Sequence, residues 1–307
     1  MIILENFDLA PKAVRGAFLA VGNFDGVHRG HAHLIGRLRD RAHDVGALAV
    51  ALTFDPQPVA VLRPEAAPIP LSWTERKVEL LKEAGADHVG VFRTGPWLLG
   101  LTAREFFDRV VVGQFEARGM VEGPTFGFGR DRGGDAALLG SWCEAAGLGF
   151  EIASPTEFEG RIVSSSRIRS ALAEGRVDEA AGLLGRAHRI RGRVVKGQGR
   201  GAGLGFPTAN LSEIDTQVPA DGVYAAQVKV ADEWKLGAAH VGANTTFGAT
   251  TKTVEIHILD YRGDLYGQSL EVDWARKIRA SRKFENVEEL LAQIREDVRK
   301  VRISDTV

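Results

Sequence analysis

Over the first 185 residues, short and almost wholly apolar runs alternate with stretches of helical periodicity. Residues 17–21, 48–54, 88–92 and 120–121 read as buried strands. Two of the intervening segments carry helix-start signals. Ser72-Trp73-Thr74-Glu75 and Thr102-Ala103-Arg104-Glu105 both have the capping-box spacing, and Gly85 and Gly147 stand where helices stop. Strands separated by helices of this length imply parallel pairing through right-handed crossovers, hence a doubly wound α/β sheet. Such sheets bind ligands beyond the carboxyl ends of their strands.

After a helical stretch from Ser166 to about Leu184 the period changes to strand, turn, strand, from His188 to Ile278. Residues 253–259 alternate, placing Val254, Ile256 and Ile258 on one face and Glu255 and His257 on the other. Short strands with glycine turns over this length predict a small closed β-barrel. A final helix follows. Asn286 caps it, Glu289 completes the box, and Val287, Leu290, Leu291, Ile294, Val298 and Val301 form a stripe expected to pack on the barrel. The expected domains are therefore residues 1–185 and 186–307.

Composition narrows the function classes. The 307 residues carry 39 Lys plus Arg against 40 Asp plus Glu, a net charge of −1 that offers no electrostatic reason to expect nucleic-acid or anionic-membrane binding. No apolar run reaches membrane-spanning length and the first residues do not resemble a signal peptide, so a cytoplasmic protein is expected. A single cysteine, Cys143, reads as a buried structural thiol. Monomer and homo-oligomer both remain open. The unusual number is 36 glycines, above the usual ~7%, and their placement marks two candidate sites.

The first is Gly22-Asn23-Phe24-Asp25-Gly26-Val27-His28-Arg29-Gly30-His31, joining the first strand to a helix beginning near His31. Its glycines allow a tight turn, and the helix start offers unpaired N–H groups and a positive dipole end, a seat for phosphate. His28 and His31, three residues apart with a glycine between, can present donors to one oxyanion such as a displaced pyrophosphate. Zinc ligation is the weaker reading, because nothing nearby completes a coordination set. His33 reads as a surface residue or as one standing behind the pair.

The second is the run Gly197, Gly199, Gly201, Gly203 and Gly205, followed by Phe206-Pro207-Thr208-Ala209-Asn210. A dinucleotide fingerprint needs a helix next, which Pro207 and the β context exclude, and no P-loop sequence is present. A flap whose N–H groups wrap a triphosphate, closing on Thr208 and Asn210 as oxygen ligands for Mg²⁺, fits the residue types.

The first segment resembles the His-x-Gly-His signature of nucleotidyltransferases and, in its full form, the bacterial bifunctional riboflavin kinases and FAD synthetases. Thr53-Phe54-Asp55-Pro56-Gln57-Pro58 resembles that family's Phe-x-Pro-His-Pro segment, and Gly123-Pro124-Thr125-Phe126-Gly127-Phe128-Gly129 its Gly-x-Asn-Phe-x-Phe-Gly loop. Val163-Ser164-Ser165-Ser166-Arg167-Ile168-Arg169 is similar to its Ile-Ser-Ser-Thr-x-Ile-Arg motif. Farther on, Gly205–Asn210 resembles Gly-x-Pro-Thr-Ala-Asn, Gly222-Val223-Tyr224 the Gly-Val-Tyr strand, and Val254-Glu255-Ile256-His257 the Glu-x-His strand. His240 to Gly248 is similar to Asn-Ile-Gly-x-x-Pro-Thr-Phe-Gly, with His240 and Thr245 in place of asparagine and proline.

The resemblance implies a Rossmann-like nucleotidyltransferase domain followed by a barrel of riboflavin kinase type with a C-terminal helix. The barrel phosphorylates riboflavin to FMN with ATP; the first domain adenylylates FMN to FAD, releasing pyrophosphate. By the same resemblance His28, His31 and Arg169 stabilise the leaving pyrophosphate, and Gly22, Asn23, Phe24, Asp25, Gly30, Phe126, Phe128, Ser164, Ser165 and Ser166 line the nucleotide and flavin site. On the residues alone, Ser164 to Ser166 read equally as a helix cap. In the barrel Thr208 and Asn210 hold metal and nucleotide, Glu255 is the base for the ribityl 5′-hydroxyl, and Arg279 with Phe284 helps close the flavin pocket. Gln57 stands where the family has histidine and Thr125 where it has asparagine, so a kinase with an impaired or altered adenylyltransferase domain is the alternative expectation. A non-catalytic flavin-binding sensor is a second one.

Overall fold

The computed structural model describes residues 1–197, 200–243 and 252–303, with the side chains of residues 200, 202, 243 and 252 outside that description. The chain divides into two compact units, residues 1–68 with 73–163, and residues 69–72 with 164–307.

The first unit holds β1 (Ile2–Leu4), β2 (Phe18–Val21), α1 (Arg29–Asp44), β3 (Ala49–Asp55), α2 (Pro58–Leu62), α3 (Thr74–Glu83) and β4 (His88–Arg93). It continues with α4 (Pro96–Leu99), α5 (Ala103–Phe106), β5 (Gly119–Glu122), β6 (Gly127–Phe128), β7 (Gly134–Asp135), α6 (Ala136–Ala145), β8 (Gly149–Ile152), β9 (Glu157–Phe158) and β10 (Arg161–Ile162). Six strands form one parallel sheet in the order β1-β4-β3-β2-β5-β8. The continuous apolar runs have a physical reason: both faces of the sheet are covered. Leu19, Val21, Val50, Leu52 and Phe92 pack into one core, while Phe18, Ala20, Ala49, Ala51 and Val91 pack into the other. From β2 the chain winds outward one way through β3 and β4, then returns to β5 on the opposite side. The crevice between the ends of β2 and β5 is the switch point at which such sheets bind ligands.

Two edge strands, β1 and β8, escaped the sequence reading: β1 has only three residues, and β8, Gly149-Phe150-Glu151-Ile152, is not a continuous apolar run. The Thr102–Glu105 box forms as expected, and α3 begins at Thr74 with Trp73 at the N-cap position, one residue later than the Ser72-Trp73-Thr74-Glu75 spacing places it. Gly85 and Gly147 follow α3 and α6 at φ 115° and 70°. Cys143 is fully buried, and burial pushes its thiol up to about 11.

The second unit begins with α7 (Ser165–Ala173) and α8 (Val177–Leu184). The single helical stretch expected there is broken at Gly175, whose φ of 74° interrupts the helix. β11 (His188–Val195), α9 (Arg200–Gly203), β12 (Ala209–Ser212), β13 (Gly222–Val230), β14 (Glu233–Ala243), β15 (Lys252–Ile258) and β16 (Ser269–Arg279) follow, then α10 (Val287–Ile303). The six strands close into a barrel in the order β11-β12-β15-β14-β13-β16. Val254, Ile256 and Ile258 point into it, as their alternation predicts. The α10 stripe packs through Val298 and Val301 against Ala225, Leu236 and Leu259, whereas Val287 at its start is exposed. Asn286 caps the helix by accepting the Glu289 N–H at 2.8 Å; the Glu289 carboxylate reaches back to the Glu285 N–H instead of closing the box on Asn286.

Candidate active sites

β2 ends at Val21, and residues 22–28 turn the chain into α1. The turn is tight enough to hold Phe24 and Val27 at φ 44° and 38° beside Gly26 at 76°. Bulky residues persist in that region only where packing holds them, and both side chains are buried. A Cβ on Gly22 would lie 3.2 Å from the Phe24 ring, so a side chain there would press on that ring.

α1 starts at Arg29, two residues earlier than the sequence indicated, because His28 itself is the N-cap. Its Nδ1 accepts the His31 N–H at 3.3 Å. With Nδ1 accepting, a neutral His28 ring carries its proton on Nε2. One helical turn places His31 over His28, and the imidazoles stack with centroids 3.6 Å apart and planes 15° apart. Phe24 stands edge-on to His31 at 5.3 Å. A Cβ on Gly30 would come within 3.2 Å of His28 Cε1 and Nδ1, so the intervening glycine makes room for the first imidazole. The pair thus lies at the positive end of a 16-residue helix at the switch point of the sheet. His33 is exposed, with its Nε2 3.3 Å from Ser154 Oγ.

Two titratable groups at this place carried no signal in the sequence. Lys77, in the first turns of α3, is 3% exposed; its ammonium donates to the Phe54 carbonyl at 3.2 Å and to Thr53 Oγ1 at 3.4 Å. Burial lowers its pKa, against the attraction of Asp25 and Asp55. Glu122, at the end of β5, accepts the Val21 N–H on Oε1 at 2.8 Å, tying the ends of β5 and β2 together. Complete burial pushes its carboxyl well above the usual range. Helix lysines and strand carboxylates are ordinarily solvated, so only the tertiary environment distinguishes these two.

Beyond β5, Phe126 and Phe128 stack at 5.3 Å, and Phe128 is anchored against Phe106 and Trp142. Thr125 is exposed and its carbonyl accepts from Arg132 at 3.2 Å. Gln57 is the N-cap of α2, with no side-chain cap bond.

In the second unit, Ser164 caps α7 by accepting the Arg167 N–H at 3.3 Å, so the cap reading holds; Ser165 and Ser166 open the helix. Arg169 donates through Nε to the Ile69 carbonyl at 3.0 Å.

The barrel gathers its candidates along one register row. Val195, Asn210, Glu255, His240, Val223 and Arg279 are successive cross-strand partners through β11, β12, β15, β14, β13 and β16. Direct partners share a face, so Asn210 and Glu255 stand side by side, with His240 on the other flank of Glu255. The His240 Nε2 lies 2.7 Å from Ser281 Oγ, and burial lowers its pKa. A Cβ on Gly197 would fall 2.3 Å from Asn210 Nδ2, and one on Gly201 would fall 2.4 Å from the Phe206 carbonyl and 3.4 Å from Thr208 Oγ1. Gly203 ends the helical turn α9, and Gly205 turns the chain at φ 84° before Pro207. The Pro207 carbonyl is held 2.9 Å from His257 Nδ1. Gly199 and residues 244–248 of the His240 segment lie outside the described residues.

Arg279 forms a half-buried ion pair. Nε and Nη2 donate to Asp297 on α10 at 3.0 and 2.8 Å, and the guanidinium lies 5.6 Å over Phe284. Among the described residues no group of three or more His, Cys, Asp or Glu is arranged to hold a metal.

Comparison with known proteins matches both halves. The FAD synthetase family model covers residues 10–167, and the riboflavin kinase model covers residues 184–304. A bifunctional riboflavin kinase/FMN adenylyltransferase of Pseudomonas fluorescens is 38% identical over 92% of this chain and 91% of its own length. That of Escherichia coli K12 is 36% identical over 96% and 94%. A solved structure from Streptococcus pneumoniae, described as a macrolide-efflux protein, aligns with a TM-score of 0.87 at 31% identity, over 98% of this chain and 99% of that one. No helix among the described residues is long and apolar enough to cross a membrane. With both family models in place and whole-length relatives of one kind, the chain belongs to the bifunctional riboflavin kinase/FMN adenylyltransferase family.

Proposed function

We propose that residues 1–185 carry the adenylyl transfer and residues 186–307 the riboflavin phosphorylation, through the side chains assembled above. In the barrel, Glu255 takes the proton of the ribityl 5′-hydroxyl as its oxygen bonds to the γ-phosphorus of ATP. The bond to the bridging oxygen breaks and ADP leaves. The observation that supports this most is the cross-strand pairing of Glu255 with Asn210, which sets a proton acceptor beside a nucleotide ligand.

Thr208 and Asn210 offer a hydroxyl and an amide oxygen, hard donors that suit Mg²⁺ when phosphates and water complete its shell. Gly197 and Gly201 leave these side chains the space that a Cβ would fill. When bound, the ion neutralises phosphate charge. Glycines 197, 199, 201, 203 and 205 with Pro207 are assigned to a flap over the triphosphate on their place in the sequence, and Arg279 supports the flavin side from its ion pair with Asp297.

In residues 1–185 an FMN phosphate oxygen attacks the α-phosphorus of ATP, and the bond to the bridging oxygen breaks to release pyrophosphate. His28 and His31 donate to that leaving group at the start of α1. Gly22, Asn23, Phe24, Asp25 and Gly30 shape the turn that seats it, and Phe126 and Phe128 offer a flavin stacking surface. Ser164, Ser165, Ser166 and Arg169 are assigned to ATP phosphates on their motif alone, and loss of FMN adenylylation in Arg169→Ala is their separate test. Both reactions consume ATP, which supports a cytoplasmic location.

Incubation with riboflavin, ATP and MgCl₂, with products resolved over time, tests the whole reading. FMN should rise first and FAD follow, with ADP and pyrophosphate as the respective co-products. Riboflavin recovered unchanged would overturn it.

A further inference from the structure

The buried ammonium of Lys77 has a definite set of neighbours. It bonds the Phe54 carbonyl and Thr53 Oγ1, and Thr53 Oγ1 donates in turn to the Asn23 carbonyl at 3.1 Å. A cation on α3 is thereby linked, through one hydroxyl at the end of β3, to the turn that precedes α1. The charged groups acting on it are two carboxylates, Asp25 from that turn and Asp55 from the end of β3. Asp55 already pairs with Arg93 at 2.9 Å. Asp25 is 3% exposed and belongs to the segment assigned to a polyanion.

A carboxylate in such a segment repels phosphate, and a buried cation linked to the same turn weakens that repulsion. We propose that Lys77 is a positioning residue for adenylyl transfer: a buried counter-charge that holds the residue 22–25 turn through Thr53 and offsets Asp25, so that pyrophosphate and the ATP tail can settle there. At 3% exposure its side chain acts from beneath the turn. The inference rests on assigning this turn to the phosphates.

The test is the reverse reaction of the full-length enzyme, FAD plus pyrophosphate, which the kinase site does not use. Lys77→Met removes the charge at nearly constant shape. It should raise the KM for pyrophosphate roughly tenfold, the size of one screened charge pair, with the KM for FAD within about twofold of the parent. Lys77→Gln, which keeps a donor but no charge, is assayed the same way should the methionine variant fail to fold. A merely structural lysine would move both KM values together or lower kcat alone. Either result, or an unchanged KM for pyrophosphate, overturns the proposal. A His31→Ala variant run alongside separates the two ideas: if it retains full activity, the phosphate assignment of the turn fails, and if it is impaired while Lys77→Met behaves as the parent, only the role of Lys77 fails.

Discussion

Gly197 and Asn210 lie so close that a methyl group on the glycine would sit 2.3 Å from Asn210 Nδ2 and 2.7 Å from Oδ1. The side chain assigned to nucleotide and metal is therefore packed against bare backbone from the glycine run. Gly197→Ala must displace it, and misplacing a reacting constellation by about 1 Å costs on the order of 10²-fold in rate. Riboflavin phosphorylation in Gly197→Ala should fall by about that much, while FAD formation from supplied FMN stays normal. Assaying the two steps separately checks this.

His28 and His31 differ in a way that mutagenesis can resolve. His31→Ala removes one oxyanion donor, which should cost about 3 kcal/mol in the adenylyl step with little change in urea stability. His28→Ala also removes the cap that accepts the His31 N–H, so it should lose activity and about 1 kcal/mol of stability. Equal denaturation midpoints for the two variants would contradict the cap assignment.

Glu255→Gln keeps the shape of the side chain and removes its basicity. Loss of a general base lowers rates by about 10²–10⁴-fold, so FMN production from riboflavin should collapse while FMN is still converted to FAD. A glutamine variant that phosphorylates riboflavin at the parent rate would remove Glu255 from its role.

His188 sets an acid limit on the stability of the barrel. It is fully buried beside the Gln217 carbonyl, 2.7 Å from Nε2, and burial pushes its imidazole down to about 4. Between that value and the unfolded value of ~6.5 the unfolded chain binds the extra proton, so stability rises with pH in this window. The contribution is complete above ~6.5 and falls by up to about 3 kcal/mol as the pH drops through the window to 4. Urea melts from pH 4.5 to 7.5 should show this slope, and His188→Gln should flatten it.

Much of this protein was legible before any coordinates. Apolar runs alternating with helical periods lead to a parallel sheet covered on both faces, because a strand buried twice cannot afford polar positions. The alternation at Val254, Glu255 and Ile256 separates core from working face, because a pleat has period two. The turn before α1 and the Gly205–Asn210 segment were identifiable because their backbone demands and their chemistry both restrict residue type.

Long-range pairing was not legible in that way. That Asn210 meets Glu255, and that Glu255 meets His240 on its other flank, follows from strand order and register, which segments 45 and 15 residues apart do not announce. The capping role of His28 required the helix start to be placed within a residue. Lys77 and Glu122 look like solvated residues of a helix and a strand until folding withdraws water from them. Local pattern determined the kinds of element and the phosphate-binding character of the two segments, and the motif resemblance implied the reactions; only the packed structure decided which charges are buried and which side chains stand together, since both depend on contacts that form when distant segments meet.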